Sequence, residues 1–397
     1  MRIILLNHNV AGHGGTFWRV LEIGKALVRG GHKPTIITTS PRARWRISPA
    51  RLPECDIIEM PALLPGGVRS GFDPVDLARR LQWSATAAFG PVDVIHAFDC
   101  RPNVILPALL LRRRTKAALV IDWADWWGRG GTIDERHSNP LVRHAVRPIE
   151  TYFEEAFRTR ADATTVISTA LARRAENLGV RPDSITLLPQ GCNPQEITPQ
   201  DMTSSRRACG LPEGVPILGY LGVLLPRDAD LLMRLFVQVQ ERLPNARLLL
   251  IGNPRTSLPR NDGIIATGFV SQERLPSYLG SCNLFLLPLA ESIANAARWP
   301  SKINSYFSAG RPVVACPVGD VAGTVTRWAV GRLGRADDGS FQQACQELIA
   351  DPAEAVRLGR NARRLAETTL SWSLIVEQLL LVYASVVRDR AARRVPG

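Results

Sequence analysis

The chain has 397 residues, 45% of them hydrophobic, with 49 lysines and arginines against 36 acidic residues and a formal net charge of +13. That length supports two domains of ordinary size around a substantial core and excludes a disordered or fibrous chain. The surplus charge implies anionic partners, and since the basic clusters at 112–116 and 388–394 do not alternate with aromatics, nucleic acid gives way to phosphorylated substrates or an anionic membrane surface, with a merely solvated basic face the first reading of either cluster by itself.

In chain order, residues 3–6 are an apolar run read as a first strand and too short for a signal peptide. Gly12, Gly14 and Gly15 follow it and open a helix over about 16–29, so a phosphate or sugar has room to approach the backbone there; a turn that needs glycine for its geometry alone is the plain alternative. This is not a dinucleotide fingerprint, because its third glycine falls on Phe17 and the second strand ends Thr38-Thr39-Ser40 without an acidic residue for a ribose. Along the helix Phe17, Val20, Leu21, Gly24, Leu27 and Val28 form one stripe, which predicts a core face. Strands follow at 34–38, 92–96 and 119–122, and their alternation with helices predicts a parallel sheet.

At the end of the last of these strands, Asp122-Trp123-Ala124-Asp125-Trp126-Trp127 puts two carboxylates beside three indoles. Such a set suits a sugar ring stacked on an aromatic face while Asp122 or Asp125 orients a hydroxyl or accepts its proton; packing between domains explains it equally. His8, His13 and His96 also lie near strand ends. A strand at 165–167, an N-cap-like Ser168 and a helix through Leu178 come next, and residues 194–216, rich in Pro, Gly, Ser and Thr, read as an interdomain linker.

A second strand and helix series occupies 217–316. Asp228-Ala229-Asp230 has the spacing of a carboxylate metal site but lies at a helix start, where aspartate is favoured as a cap. Residues 300–315 read as loop, short helix, glycine stop and β-branched strand, a unit whose helix start presents backbone N–H groups and Lys302 to an anion. Glu291, Asn295 and Arg298 converge on the same strand end, and ordinary capping is the alternative reading. Seven cysteines without a C-x-x-C pair predict buried free thiols. Residues 371–392 form an amphipathic helix, and no run approaches the roughly 20 apolar residues of a membrane span. A cytoplasmic protein, at most peripheral to the inner face of a membrane, is expected.

Together these segments resemble the family 4 glycosyltransferases over essentially the whole chain. Gly14-Gly15 with Gly31-His32 is similar to that family's glycine loop and helix exit. The segments 94–99, 166–168 with 188–193, 219–222, 250–252, 268–270 and 310–315 follow its order and spacing. The resemblance implies a GT-B fold: two doubly wound Rossmann-like α/β domains facing across a cleft, with an acceptor domain at 1–195, a donor domain at 196–370 and a helix at 371–397 crossing back. It further implies retaining transfer from a nucleotide-diphosphate sugar to a lipid-linked or envelope glycan, with no cofactor and no obligatory metal. The residues expected to bind donor or substrate are Gly14, Gly15, Gly222, Arg227, Asn253, Val270, Asn295, Arg298, Lys302 and Ser305, and the carboxylates expected to act in catalysis are Asp125, Asp122 and Glu291. The chain departs from the family pattern where Gly222-Val223 and Asp228 stand for Gly-Arg and Lys, Ser305 for a ribose-binding glutamate and Ala124 for a histidine. Those departures keep two alternatives open, a non-catalytic binding or assembly subunit and a nucleotide-sugar epimerase or hydrolase.

Overall fold

In a computed structural model the chain divides into two compact units, Met1–Pro189 with Trp372–Gly397, and Gln190–Ser371. The structure describes residues 1–42, 45–52, 55–63, 70–88, 90–136, 139–224, 226–254 and 256–392, with 50–52, 136, 226 and 227 described by their backbone alone.

Unit 1 is built on β1 (Arg2–Val10), β2 (Lys33–Thr39), β3 (Ser48–Leu52), β4 (Cys55–Met60), β5 (Val94–Phe98), β6 (Ala118–Trp123), β7 (Ala163–Val166) and β8 (Ile185–Leu187). Their order across the sheet is β3-β4-β2-β1-β5-β6-β7-β8, parallel throughout except for the β3–β4 hairpin. Helices α1 (Gly15–Arg29), α2 (Pro74–Thr86), α3 (Pro102–Thr115), α4 (Thr132–Arg136), α5 (Pro140–Glu155) and α6 (Thr169–Asn177) connect them. Ile3, Ile4, Leu5 and Leu6 are all buried, as a parallel strand covered on both faces requires. On α1 the stripe of Phe17, Val20, Leu21, Gly24 and Leu27 faces the sheet, and a Cβ on Gly24 would lie 2.9 Å from Cys55 Sγ, so glycine sets the closeness of helix and strand.

One expectation for α1 is corrected, and α5 departs from the usual amphipathic arrangement. Val28 is 39% exposed, and the buried face of α1 is completed instead by Arg19, whose Nε and Nη2 donate to the two oxygens of Asp122 at 3.0 Å each. Helix α5 is inverted: Glu150 and Glu154 are its buried residues, while Leu141, Val142, Ile149 and Tyr152 are exposed. The inversion follows from its neighbours, because Arg101 pairs with Glu150 and Arg174 with Glu154.

Unit 2 contains α7 (Met202–Cys209), β9 (Ile217–Leu221), α8 (Pro226–Arg242), β10 (Arg247–Ile251), β11 (Ile264–Ala266), α9 (Leu275–Gly280), β12 (Leu284–Leu287), α10 (Ile293–Ala297), α11 (Lys302–Ser308), β13 (Val313–Ala315), α12 (Gly319–Trp328), β14 (Gly331–Leu333), α13 (Ser340–Ala350) and α14 (Pro352–Thr368). Its strands are all parallel, in the order β11-β10-β9-β12-β13-β14. The stretch read as a linker holds α7, capped by Asp201 Oδ1 on Ser204 N at 2.9 Å. Apolar periodicity does not betray this helix because its buried residues are Ser205 and Arg206, the latter donating to Ser281 O, Val215 O and Asn283 Oδ1.

The last helix, α15 (Trp372–Ala392), belongs to unit 1, where Trp372, Ile375, Leu379, Tyr383 and Val386 join the core beside α1. Six of the cysteines are buried and Cys209 is half-buried, all as free thiols. Among the described residues no helix is long and apolar enough to cross a membrane.

Removing the α1 arginine tests how far unit 1 relies on its buried ions. Arg19→Met leaves the Asp122 carboxylate, 1% exposed, without its charged partner, and a loss of about 3–5 kcal/mol is expected. Hydrogen exchange of the β6 amides reads that loss directly; protection unchanged within 1 kcal/mol rejects the assignment.

Candidate functional site

The strand order of unit 2 reverses between β9 and β12, and ligands of such sheets sit beside the reversal at the carboxyl ends. There β9 runs out into Gly222 at φ 106° and β10 into Gly252 at φ 132°. A Cβ on Gly252 would stand 2.8 Å from the Gly222 carbonyl oxygen, so only glycine serves at this approach. A Cβ on Gly222 would lie 3.8 Å from Lys302 Nζ, and that ammonium rests over the Tyr220 ring, 3.7 Å from its centroid.

The surroundings of Lys302 are fixed by buried polar contacts. Tyr306 stacks on Phe285 with centroids 4.0 Å apart, and its hydroxyl accepts from Leu221 N at 3.0 Å, which ties α11 to β9. Asn304 donates from Nδ2 to the carbonyls of Gln190 and Gly191 and accepts from Trp299 Nε1. Burial pulls the Lys302 ammonium down to about 7; Asp228 opposes the shift and Arg298 adds to it. Arg298 is half-buried, and its Nε has no acceptor. Among the described residues Asp228 is the one carboxylate acting on Lys302, and Arg298 adds positive charge beside it.

Charge contributes more here than the helix start does. In the first turn of α11 the N–H groups of Ile303 and Asn304 already donate to Pro300 and Ser301 at 3.0 and 3.1 Å, and Ser301 makes no side-chain cap. Asp228 is not a cap either: it lies inside the first turn of α8, in electrostatic contact with Lys302, while Asp230 is exposed. Among the described residues no group of three histidines, cysteines or carboxylates is placed to hold a metal ion.

The other residues singled out in unit 2 divide by environment. Asn295 is buried, donates to Ala290 O at 2.7 Å and so braces its own loop rather than facing a ligand, which corrects its expected role. Glu291 is exposed and paired with Arg335 at 3.3 Å, and both line a cavity of about 380 Å³ with Cys316, Pro317 and Val318. Ser305 and Val270 are half-buried, Asn253 is exposed, and the Arg227 side chain lies outside the described residues. Phe269, between Gly268 and Val270, presents a ring that is 83% exposed on the same carboxyl edge. Nothing in the sequence distinguished it from a core phenylalanine.

In unit 1 the reversal falls between β1 and β5. Gly14 precedes α1 at φ 84°; Gly15 has open space around it, and Asn9 underlies the turn, its Oδ1 accepting from Phe17 N at 3.2 Å. Asp122 is corrected from a catalytic to a structural residue: besides Arg19, Thr165 Oγ1 donates to it at 2.6 Å, and no substrate reaches a carboxylate so enclosed. Asp125 remains partly exposed, in a loop whose Trp127 and Gly128 N–H groups donate to Glu154 at 2.6 and 2.9 Å. Burial raises the Glu154 carboxyl, while Arg158 and Arg174 oppose that rise.

From sequence, His8, His96 and Trp127 stand near strand ends, and no role is assigned to Asp99, Arg101 and Arg158, which gather at the β5 end. Asp99 adopts φ 79°, accepts from Arg158 Nη2 at 3.0 Å and stands 4.0 Å from His8 Nε2. Arg158 and Arg101 hold its carboxyl below the usual range although burial acts the other way. Arg101 lies over the Trp127 ring at 4.6 Å. His96 is structural: Nδ1 is 2.7 Å from Tyr383 Oη, and burial lowers its pKa to about 4.

Comparison with known proteins agrees with this architecture. Residues 14–191 match the family described as glycosyl transferase 4-like domain, and residues 215–351 match glycosyl transferases group 1. A D-inositol 3-phosphate glycosyltransferase of Stackebrandtia nassauensis is 26% identical over 238 residues, covering 54% of this chain and 52% of that protein. A GDP-mannose-dependent monoacylated alpha-(1-6)-phosphatidylinositol monomannoside mannosyltransferase of Corynebacterium glutamicum is 25% identical, covering 58% of this chain and 64% of that protein. The chain thus spans between about half and two thirds of these relatives. Among solved structures, a sucrose-phosphate synthase of Thermosynechococcus elongatus superposes with a TM-score of 0.75 at 19% identity, covering 98% of this chain and 99% of that one. Two doubly wound sheets and two matched domains lead to one assignment: the chain belongs to the family 4 glycosyltransferases and has the GT-B fold.

Proposed function

We propose that this protein is a retaining hexosyltransferase that moves a sugar from a nucleotide-diphosphate donor to a glycan or glycolipid acceptor. The observation that carries the reading is Lys302 beneath Gly222, with Arg298 adding positive charge to it and Asp228 the one carboxylate acting on it among the described residues. A departing diphosphate gains charge as the sugar bond breaks, and two preorganised cations favour that state over the intact donor without requiring an ion. Glu291, once released from Arg335, and Asp125 are the carboxylates proposed to orient sugar hydroxyls. Gly14 and Gly15 leave room for the acceptor, while Asn253, Val270 and Ser305 border the donor. The name of the Corynebacterium relative contains both a nucleotide-sugar donor and a lipid-bearing acceptor, which supports the donor and acceptor classes.

A lipid-borne acceptor places the protein at the cytoplasmic face of a membrane. The basic cluster at 112–116 is a poor contact surface, since Arg112 pairs with Asp162 at 2.9 Å and Arg114 donates to Ser84 O. The outward face of α5, with Leu141 80%, Ile149 50% and Tyr152 58% exposed, is the better one for a positively charged protein. A second reading, a donor-binding protein with little transfer, is favoured by Asp228 beside Lys302 and Arg335 on Glu291, each of which satisfies a charge that turnover needs.

Three outcomes test these statements. Lys302→Met and Arg298→Ala are expected to lower kcat/KM in a donor-turnover assay by about 100-fold each; parent-like rates in both reject the site, whereas tight nucleoside diphosphate binding with no turnover in the parent selects the second reading. The pH dependence has a definite sign. Lys302 is already charged below about pH 7, so above it diphosphate binding must recruit a proton, and affinity falls by up to about tenfold per pH unit. Stability runs the opposite way, rising with pH above 7 because only the unfolded lysine keeps its proton there. Calorimetry in buffers of differing ionisation enthalpy measures the proton uptake, and Lys302→Arg should abolish it. For the membrane, cosedimentation with phosphatidylglycerol vesicles should drop at least fivefold on combining Ile149→Ser with Tyr152→Ser; equal binding by that variant excludes α5.

A further inference from the structure

The amino ends of β12 and β13, opposite the edge that carries Gly222 and Glu291, open onto a groove of about 330 Å³. Its floor is apolar, with Met202, Pro312, Leu348 and Val356 among the lining residues, and one face of α14 forms its wall. The volume is that of a small-molecule site.

The polar groups of this groove leave a surplus of donors: its acceptors Asn283 Oδ1 and Glu367 are already taken by Arg206 and Arg363. Arg311 is immobilised by Nη2, which donates to Gln200 O at 3.0 Å and Gly280 O at 2.7 Å, and its Nε is buried without an acceptor. Arg360 and Arg364, one helical turn apart on α14, are exposed at the mouth, and among the described residues their guanidinium groups have no ion pair. The same helix pairs its other arginines, Arg357 with Glu354 and Arg363 with Glu367, each at 2.6 Å. Glu367 is the one carboxylate lining the groove, and Arg363 holds it. An apolar floor beside two guanidiniums without a counter-ion and a third, Arg311, whose Nε lacks an acceptor is complementary to a ligand that is hydrocarbon at one end and anionic at the other. Guanidinium forks match phosphate oxygens in geometry as well as charge.

We infer that this groove binds a single-chain amphiphile with a phosphate head, the tail lying on Met202, Leu348 and Val356 and the head meeting Arg311, Arg360 and Arg364. The site goes beyond the transfer reading and stands apart from it, because occupancy is read without donor or acceptor.

Titration of the full chain with octyl phosphate below its micelle concentration, followed by calorimetry, tests the site. Saturable binding at one site is expected, weakened at least tenfold by Arg360→Ala combined with Arg364→Ala and by Val356→Trp, which fills the floor. Lys302→Met should leave it unchanged, and octanol or inorganic phosphate alone should bind at least tenfold more weakly. The inference is overturned if the paired arginine variant binds as the parent does, if a nucleoside diphosphate displaces the probe, or if inorganic phosphate binds equally well. Arg360 and Arg364 are exposed, so that double variant should melt with the parent and keeps the test decisive even where Val356→Trp fails to fold.

Discussion

A lysine ammonium held against an aromatic face beneath a strand end is the constraint on which the carboxyl edge of unit 2 depends. Lys302 lies over Tyr220 beneath Gly222, whose φ of 106° calls for glycine, and position 222 keeps its backbone path because Gly252 lets the neighbouring strand close in on it. The short helix carrying the lysine could not hold this position by itself, since a helix of this length is unstable alone. Tyr306 and Asn304 hold it instead, by hydrogen bonds to the backbone of Leu221 and of Gln190 and Gly191. The low pKa of Lys302 is the signature of that enclosure. A group half-charged at neutrality gains most from a ligand that brings opposite charge, so the same burial that weakens the cation in the empty site makes it responsive to a phosphate.

Unit 1 solves a different problem, burying arginines among carboxylates. Arg19, Arg80 and Arg158 are each 1% exposed or less, with Asp122, Asp76 and Asp99 as partners. Buried pairs of this kind add little over an apolar core, but each member makes removal of the other severe, and so they fix one arrangement of the strand ends. The inverted helix α5 follows from the same arrangement. Its glutamates are drawn inward by Arg101 and Arg174, and its apolar residues are left facing out. Amphipathic pattern alone gives the existence of such a helix and mistakes which face is core.

Much of the architecture was legible because parallel strands buried on both faces write continuous apolar runs, as at Ile3–Leu6 and Leu248–Ile251. The glycines at the strand ends were legible too, since their spacing is a backbone requirement. What stayed hidden was polar burial. Arg19 sits among apolar neighbours on α1 and reads as a surface residue, α7 buries Ser205 and Arg206, and Asp122 looks like a cleft carboxylate until Arg19 and Thr165 are seen around it. Each of these depends on a partner far away in sequence, at separations of 103 for Arg19 and Asp122 and 77 for Arg206 and Asn283, and no local pattern encodes the partner's position.

The net charge of +13 is therefore not a uniform field. Many arginines are neutralised inside unit 1 or along α14, and among the cations of unit 2 without a full counter-charge are two sets at opposite edges of one sheet: Lys302 and Arg298 at the carboxyl ends, Arg311, Arg360 and Arg364 at the amino ends. The strands between them are short, four residues in β12 and three in β13. At about 3.3 Å per residue the two backbone edges are separated by roughly 10–13 Å. Unit charges that far apart interact by about 1 kcal/mol at the effective dielectric of a protein. Arg360 and Arg364 are exposed, however, and dissolved salt screens charges at this range, so an anion at one edge leaves the affinity of the other nearly unchanged. The two edges of one sheet therefore act as independent anion sites.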